Sequence, residues 1–189
     1  NAARIDSASN PGDGFDGTVN VNGGTLHVNT RVLQQPEPWR MEGVMNLNGS
    51  LFNTARVQGS RMIVGNPLPF AYGNFNVTQG VNAIESPVTF EPTARVSVAD
   101  TASLRLDGPT TFQGGRHTGA GSVVQSGNAL VDGSTTLEYE RYYMDGGNQS
   151  TTTISPGKSL VVDARQISSS SENRFDGTVV INGGTLDMR

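Results

Sequence analysis

The chain has 189 residues, a formal net charge of −4, 34% hydrophobic residues, 24 glycines and no cysteine. Without cysteine there are no disulfides, thiolate zinc sites or thiol nucleophiles. Twelve scattered arginines and one lysine, Lys158, form no basic stripe with interleaved aromatics, which argues against nucleic acid and anionic membrane as partners.

No apolar run approaches the ~18 residues that cross a bilayer, and no 3.6-residue stripe is present, so almost no helix and no membrane insertion are expected. The first residue is Asn1. The chain is therefore expected to be a processed or partial product, with any export signal or anchor lying outside it.

Residues 1–14, ending Ser7-Ala8-Ser9-Asn10-Pro11-Gly12-Asp13-Gly14, read as a polar loop. Next comes Thr18-Val19-Asn20-Val21-Asn22-Gly23-Gly24-Thr25-Leu26-His27-Val28. Alternating apolar residues flank a glycine bend, the period-two signature of half-buried strands. The stretch returns as Thr178 to Met188, and Phe15-Asp16-Gly17 returns as Phe175-Asp176-Gly177, an offset of 175 − 15 = 160 residues. Ala3-Arg4 and Ala164-Arg165 are 161 apart, so one residue is gained or lost in the intervening polar loop, where Ser168 to Ser171 follow. The reading is a single segment over 1–189 with one sequence unit at about 15–174 and the start of the next at 175–189.

Shorter echoes of the bend lie at Asn46–Leu51, Asn76–Val81, Val96–Leu104, Val123–Leu130 and Ile154–Leu160. The apolar residues after successive bends, at 26, 51, 81, 104, 130, 160 and 186, are 25, 30, 23, 26, 30 and 26 residues apart. Two all-β architectures fit. One is a parallel β-helix, expected to be right-handed, of about seven stacked coils that share a core. The other is an antiparallel β-sandwich of hairpins, for which Asn-Gly is a good turn. The solenoid is favoured because the bend composition drifts from Asn-Gly-Gly through Thr-Gln-Gly to Ser-Pro-Gly-Lys-Ser while the step length stays near one coil, a drift that a two-residue hairpin would forgive less.

Two proline-bearing stretches interrupt the pattern: Leu33–Arg40, with the only tryptophan, Trp39, and Asn66–Asn74. Both are expected to leave the ladder. Trp39 would either cover apolar surface or offer a platform to a sugar ring. From Pro87 the pattern is regular, with Val88-Thr89-Phe90, Val96-Ser97-Val98, Leu104-Arg105-Leu106 and Thr111-Phe112. Gln113–Ser122 has neither a strand-to-helix transition nor a lysine after its glycines. It reads as a coil corner crowded by a neighbouring coil, not as a phosphate loop. Leu137–Gly147 holds three of the four tyrosines. Tyr139, Arg141, Tyr142 and Tyr143, with Trp39, are the candidate surface for a glycan or a cell-surface protein, the alternative being a strand pair that shields the stack.

Catalysis by a polysaccharide lyase or hydrolase needs carboxylates gathered on one face of adjacent coils. Here Asp13, Asp16, Asp107, Asp132, Asp145 and Asp176 each precede glycine and read first as turn formers. His27 corresponds to Asp187 in the second copy, an exchange that a catalytic role would not survive, and His117 lies among glycines. No catalytic residue, cofactor or metal is assigned; calcium is the cation such turns would suit, although the Gly-Gly-x-Gly-x-Asp repeat is missing.

Asn22-Gly23-Gly24-Thr25-Leu26, Asn182-Gly183-Gly184-Thr185-Leu186 and the run from Gly119 to Val131 resemble the β-solenoid repeat arrays of large secreted bacterial proteins, including autotransporter passenger domains and autotransporter-associated β-strand repeats. The resemblance implies export, surface display and a parallel β-helix, and transfers no catalytic residue. The expectation is a non-catalytic structural or adhesive segment of a giant extracellular or cell-surface protein, its partners being neighbouring repeats and a glycan or surface protein. The alternatives are a carbohydrate-binding or carbohydrate-cleaving β-helix and a self-assembling fibre module.

Overall fold

The structure is a computed structural model that describes residues 2–5, 15, 17–28, 31–32, 35–36, 38–50, 52–68, 72–144, 150–167 and 178–189. Of the polar loop expected over 1–14, Ala2–Ile5 is instead a strand, and Ala164–Ile167, expected to open the second loop, ends a strand; residues 6–14 and 168–171, and Asp13, Asp16, Asp145 and Asp176, lie outside the described residues. Among the described residues there are 21 strands and no helix.

After β1 (Ala2–Ile5), the first turn comprises β2 (Thr18–Val21), β3 (Gly24–Val28), a small antiparallel pair of β4 (Arg31–Val32) and β5 (Gln35–Pro36), and β6 (Trp39–Met41). The second is β7 (Val44–Asn48), β8 (Ala55–Gly59) and β9 (Met62–Val64). The third is β10 (Asn74–Ile84) and β11 (Val88–Phe90); the fourth is β12 (Arg95–Val98), β13 (Ala102–Leu106) and β14 (Thr110–Phe112). The fifth is β15 (Arg116–Gln125) and β16 (Ala129–Val131), and the sixth β17 (Thr135–Met144) and β18 (Thr151–Ile154). Finally β19 (Ser159–Ile167), β20 (Thr178–Ile181) and β21 (Thr185–Met188) continue the stack.

Apart from β4 with β5, every pairing is parallel and joins one turn to the next. The strands stack into three columns. The first runs through β2, β7 and the first half of β10, then β12 and the starts of β15, β17 and β19 to β21. The second runs through β1, β3, β8 and the end of β10 to β13 and the ends of β15 and β17. The third is the seven-stranded sheet from β6 to β20. This is the parallel β-solenoid, of about six turns where about seven were expected, with parts of further turns at both ends; the antiparallel sandwich is ruled out by the ladders.

The steps are not those measured between bends. Phe90 pairs with Phe112 and Phe112 with Val131, steps of 112 − 90 = 22 and 131 − 112 = 19, whereas Leu26 pairs with Val57, a step of 57 − 26 = 31. The bends chosen from the sequence sit at different corners: Leu104 is in the second column, Leu130 in the third and Leu160 in the first. The two long copies differ likewise, the first joining columns one and two and the second columns three and one.

Alternation places the inward residues in ladders. Met41, Val64, Phe90, Phe112, Val131 and Ile154 are stacked and buried along the third column. Phe75, Val96, His117, Leu137 and Val162 are stacked along the first. Each large aliphatic or aromatic side chain so enclosed contributes about 1.5–3 kcal/mol. No single turn could bury this face; successive turns do so together.

Strands β10, β15, β17 and β19 each serve two columns and bend between them. In β10 the bend is at Gly80, with φ of 65°, where a Cβ would sit 2.5 Å from the Gly49 carbonyl oxygen of the turn before. Buried Asn82 braces this bend: its Oδ1 accepts from Gly49 N at 2.9 Å, and its Nδ2 donates to the carbonyls of Gln79 at 2.9 Å and Gly80 at 3.0 Å. The expectation that Gln113–Ser122 is crowded by a neighbouring coil holds: a Cβ on Gly119 would collide with the Val98 carbonyl oxygen, and one on Gly121 with that of Ala99.

Candidate ligand-binding surface

Residues that alternate with the core ladders make rows on the outside of the first column. One row is Asn20, Asn46, Asn76, Ser97, Thr118, Glu138 and Asp163, in register on successive turns. Its amide end is tied together, Asn46 Nδ2 donating to Asn20 Oδ1 at 2.7 Å, Asn76 Nδ2 to Asn46 Oδ1 at 3.0 Å, and Ser97 Oγ to Asn76 Oδ1 at 2.8 Å. The neighbouring row is Thr18, Val44, Asn74, Arg95, Arg116 and Thr136. The face thus passes from neutral amides through two arginines to two carboxylates, Glu138 and Asp163.

Arg95 and Arg116 are exposed and belong to paired strands, whose backbones are about 4.8 Å apart. A shallow groove is lined here by Asn74, Asn76, Arg95, Ser97, Arg116 and Thr118, with Val96 beneath. The Arg95 guanidinium lies 3.8 Å from the centre of the Tyr72 ring, and neither arginine has a carboxylate within 4.0 Å among the described residues. Other arginines on the molecule do have such partners: Arg56 pairs with Glu85, and Arg105 with Asp107 at 3.1 Å. At Glu85 partial burial works against ionisation, but hydrogen bonds from Gln58 and Arg56 and the Arg56 charge outweigh it and lower the pKa.

A second concavity, at the corner between columns one and two, is lined by Asn22, Asn48, Ser50, Asn53 and Gln79. Its amides are engaged with one another and with backbone: Asn48 Nδ2 donates to Asn22 Oδ1 at 3.2 Å, and Asn53 Oδ1 accepts from Gly24 N at 3.0 Å. Phe52 projects beside it, 99% exposed.

The five residues singled out in the sequence do not form one surface. Trp39 is 3% exposed, opens β6 in register with Met62 and meets Phe15 with ring centres 6.0 Å apart. It covers core, and its Nε1 has no hydrogen-bond partner among the described residues. Tyr139 and Tyr142 are also core residues, and burial pushes both phenol pKa values upward. Only Arg141, exposed, and Tyr143, half-buried, face outward, on the second column. The cause is the bend in β17. Residues 137 and 139 point in, then 142 and 144, because the pairing with β15 shifts between Gly119 and Ser122 and resets the alternation.

His117 is buried between Phe90 and Phe112, its ring edge-on to both with centres 5.1 and 5.4 Å away. Burial lowers its pKa to about 4, partly offset by the hydrogen bond to the Gly114 carbonyl at 3.0 Å. The ring is a core member. His27 is exposed on β3. Among the described residues no three or more His, Asp or Glu side chains gather as a metal cluster. No family model, no curated protein and no solved structure matches this chain.

Proposed function

We propose that the chain is a non-catalytic structural and adhesive segment of a large extracellular or cell-surface protein, like the autotransporter-type repeat arrays its bends resemble. One observation carries the reading. Inward ladders such as Met41–Val64–Phe90–Phe112–Val131–Ile154 pass through every turn, while the outer face of the first column is an open row of polar side chains. Such a stack is a rigid rod that presents one outward polar position per storey at a regular spacing, with the chemistry of that position changing along the axis. Neighbouring repeats of the same polypeptide are its natural partners.

A carbohydrate-cleaving β-helix is the second reading, favoured by the register of Glu138 and Asp163 on adjacent turns. One experiment separates the two. Beads coated with the folded chain are presented to cell surfaces and to a glycan panel, and soluble products are assayed. Retention of the beads with no new reducing ends or unsaturated sugars is the expected result. Product release that Glu138→Gln abolishes would replace the scaffold by an enzyme.

A further inference from the structure

We infer that Arg95 and Arg116 hold the anionic group of an acidic polysaccharide laid across the first column. The inference rests on the adhesive part of the reading above and names its ligand class. Three observations carry it.

The first is the arrangement of like charges. Two guanidiniums in register on consecutive strands repel each other, and such pairs are destabilising unless something neutralises them. Nothing among the described residues does so, although Arg56, Arg105 and Arg189 each have a carboxylate. A carboxylate or sulfate seated between the two forks would accept charge-assisted hydrogen bonds from both.

The second is what surrounds the pair. Asn74 and Thr118 border the groove, and neither side chain has a hydrogen-bond partner among the described residues. Neutral amide and hydroxyl groups beside a fixed positive pair suit a ligand with many hydroxyls and few charges. Tyr72, 43% exposed and lying against Arg95, orients that guanidinium and adds an apolar edge for a sugar ring.

The third is the extent of the positive patch. The next outward residue in register with Thr118 is Glu138, followed by Asp163, and the net charge is −4. A dense polyanion such as nucleic acid would meet these carboxylates within two turns, about 10 Å from the arginines. A chain with one anionic group per two or more sugars brings fewer charges to them.

The test measures binding of the folded chain to hyaluronate, with a spaced carboxylate, to a sulfated galactan, to neutral dextran and to duplex DNA, at low and high salt. Arg95→Gln/Arg116→Gln is compared with Arg105→Gln, and circular dichroism establishes that each variant is folded. The expected result is binding to hyaluronate, to the galactan or to both, which identifies the anionic group. It weakens with salt, falls at least tenfold in the double variant and changes less than twofold in Arg105→Gln. Equal binding to dextran, tighter binding to DNA, equal loss in Arg105→Gln, or no binding by folded protein would each overturn the assignment. Bead retention that persists in the double variant would do so while leaving the adhesive reading in place.

Discussion

Thr18–Val28 and Thr178–Met188 carry nearly the same residues and fold into the same strand, bend and strand, yet their surroundings differ. In the first copy Val21, Leu26 and Val28 are buried, and β3 lies between β1 and β8. In the second, Val179 and Leu186 are only partly covered, Ile181 and Met188 are 49% and 45% exposed, and β20 and β21 each have one partner among the described residues. The glycine bend is therefore a joint that works at either corner. Enclosure comes from the neighbouring turns, not from the motif.

The largest contrast should appear at the leucine after the bend. Leu26→Ala removes a side chain that is 1% exposed and should destabilise the fold by about 3 kcal/mol, whereas Leu186→Ala should lose about 1 kcal/mol. Urea unfolding midpoints give both values, and equal losses would break the comparison. A similar magnitude attaches to acid. His117 has its folded-state pKa at about 4, below the unfolded value of 6.5, so the unfolded chain takes up the proton first as pH falls. Its contribution is complete above pH 6.5, declines between 6.5 and about 4 and is then flat, a loss on the order of 3 kcal/mol. Denaturation measured across that range should lose this component in His117→Phe.

Smaller differences sharpen the same contrast. Gly23 and Gly183 have φ of 71° and 72°, so alanine at either costs about 1 kcal/mol in backbone strain. A Cβ at Gly183 meets nothing within 4 Å, but at Gly23 it displaces Asn53, whose Oδ1 accepts from Gly24 N. Gly23→Ala should consequently exceed Gly183→Ala by about 0.5–1 kcal/mol in thermal melts. The least effect belongs to Asn20→Val, which installs the residue found at 180 in the second copy. It deletes only the exposed bond from Asn46, about 0.5 kcal/mol, and a near-unchanged melting temperature is expected.

Much of the architecture could be read from the residues, because alternation and glycine bends are local. Val96-Ser97-Val98 and Leu104-Arg105-Leu106 show inside and outside directly. Position around the axis could not be read, since Asn-Gly-Gly looks alike at every corner. The tyrosine run was misassigned for a related reason: the phase reset in β17 depends on pairing with β15, a relation between turns. Prolines 36 and 38 suggested that Trp39 leaves the stack, but the antiparallel excursion has ended before Trp39 enters the third column. Val88-Thr89-Phe90 is buried throughout because Arg61 Nη2 of the previous turn lies over Thr89 and donates to its Oγ1 at 2.7 Å. Arg95 and Arg116 look unremarkable in sequence; only the step of 116 − 95 = 21 brings them side by side.

Because each ladder joins a turn only to the ones directly above and below, the two directions of pull on this rod are not equivalent. Tension applied crosswise is shared by the rungs of many storeys at once. Tension applied from one tip peels storeys in sequence, each release freeing a length set by its own step, as short as 131 − 112 = 19 residues between Phe112 and Val131. A stack built this way yields gradually, and slack released at one tip leaves the remaining storeys folded.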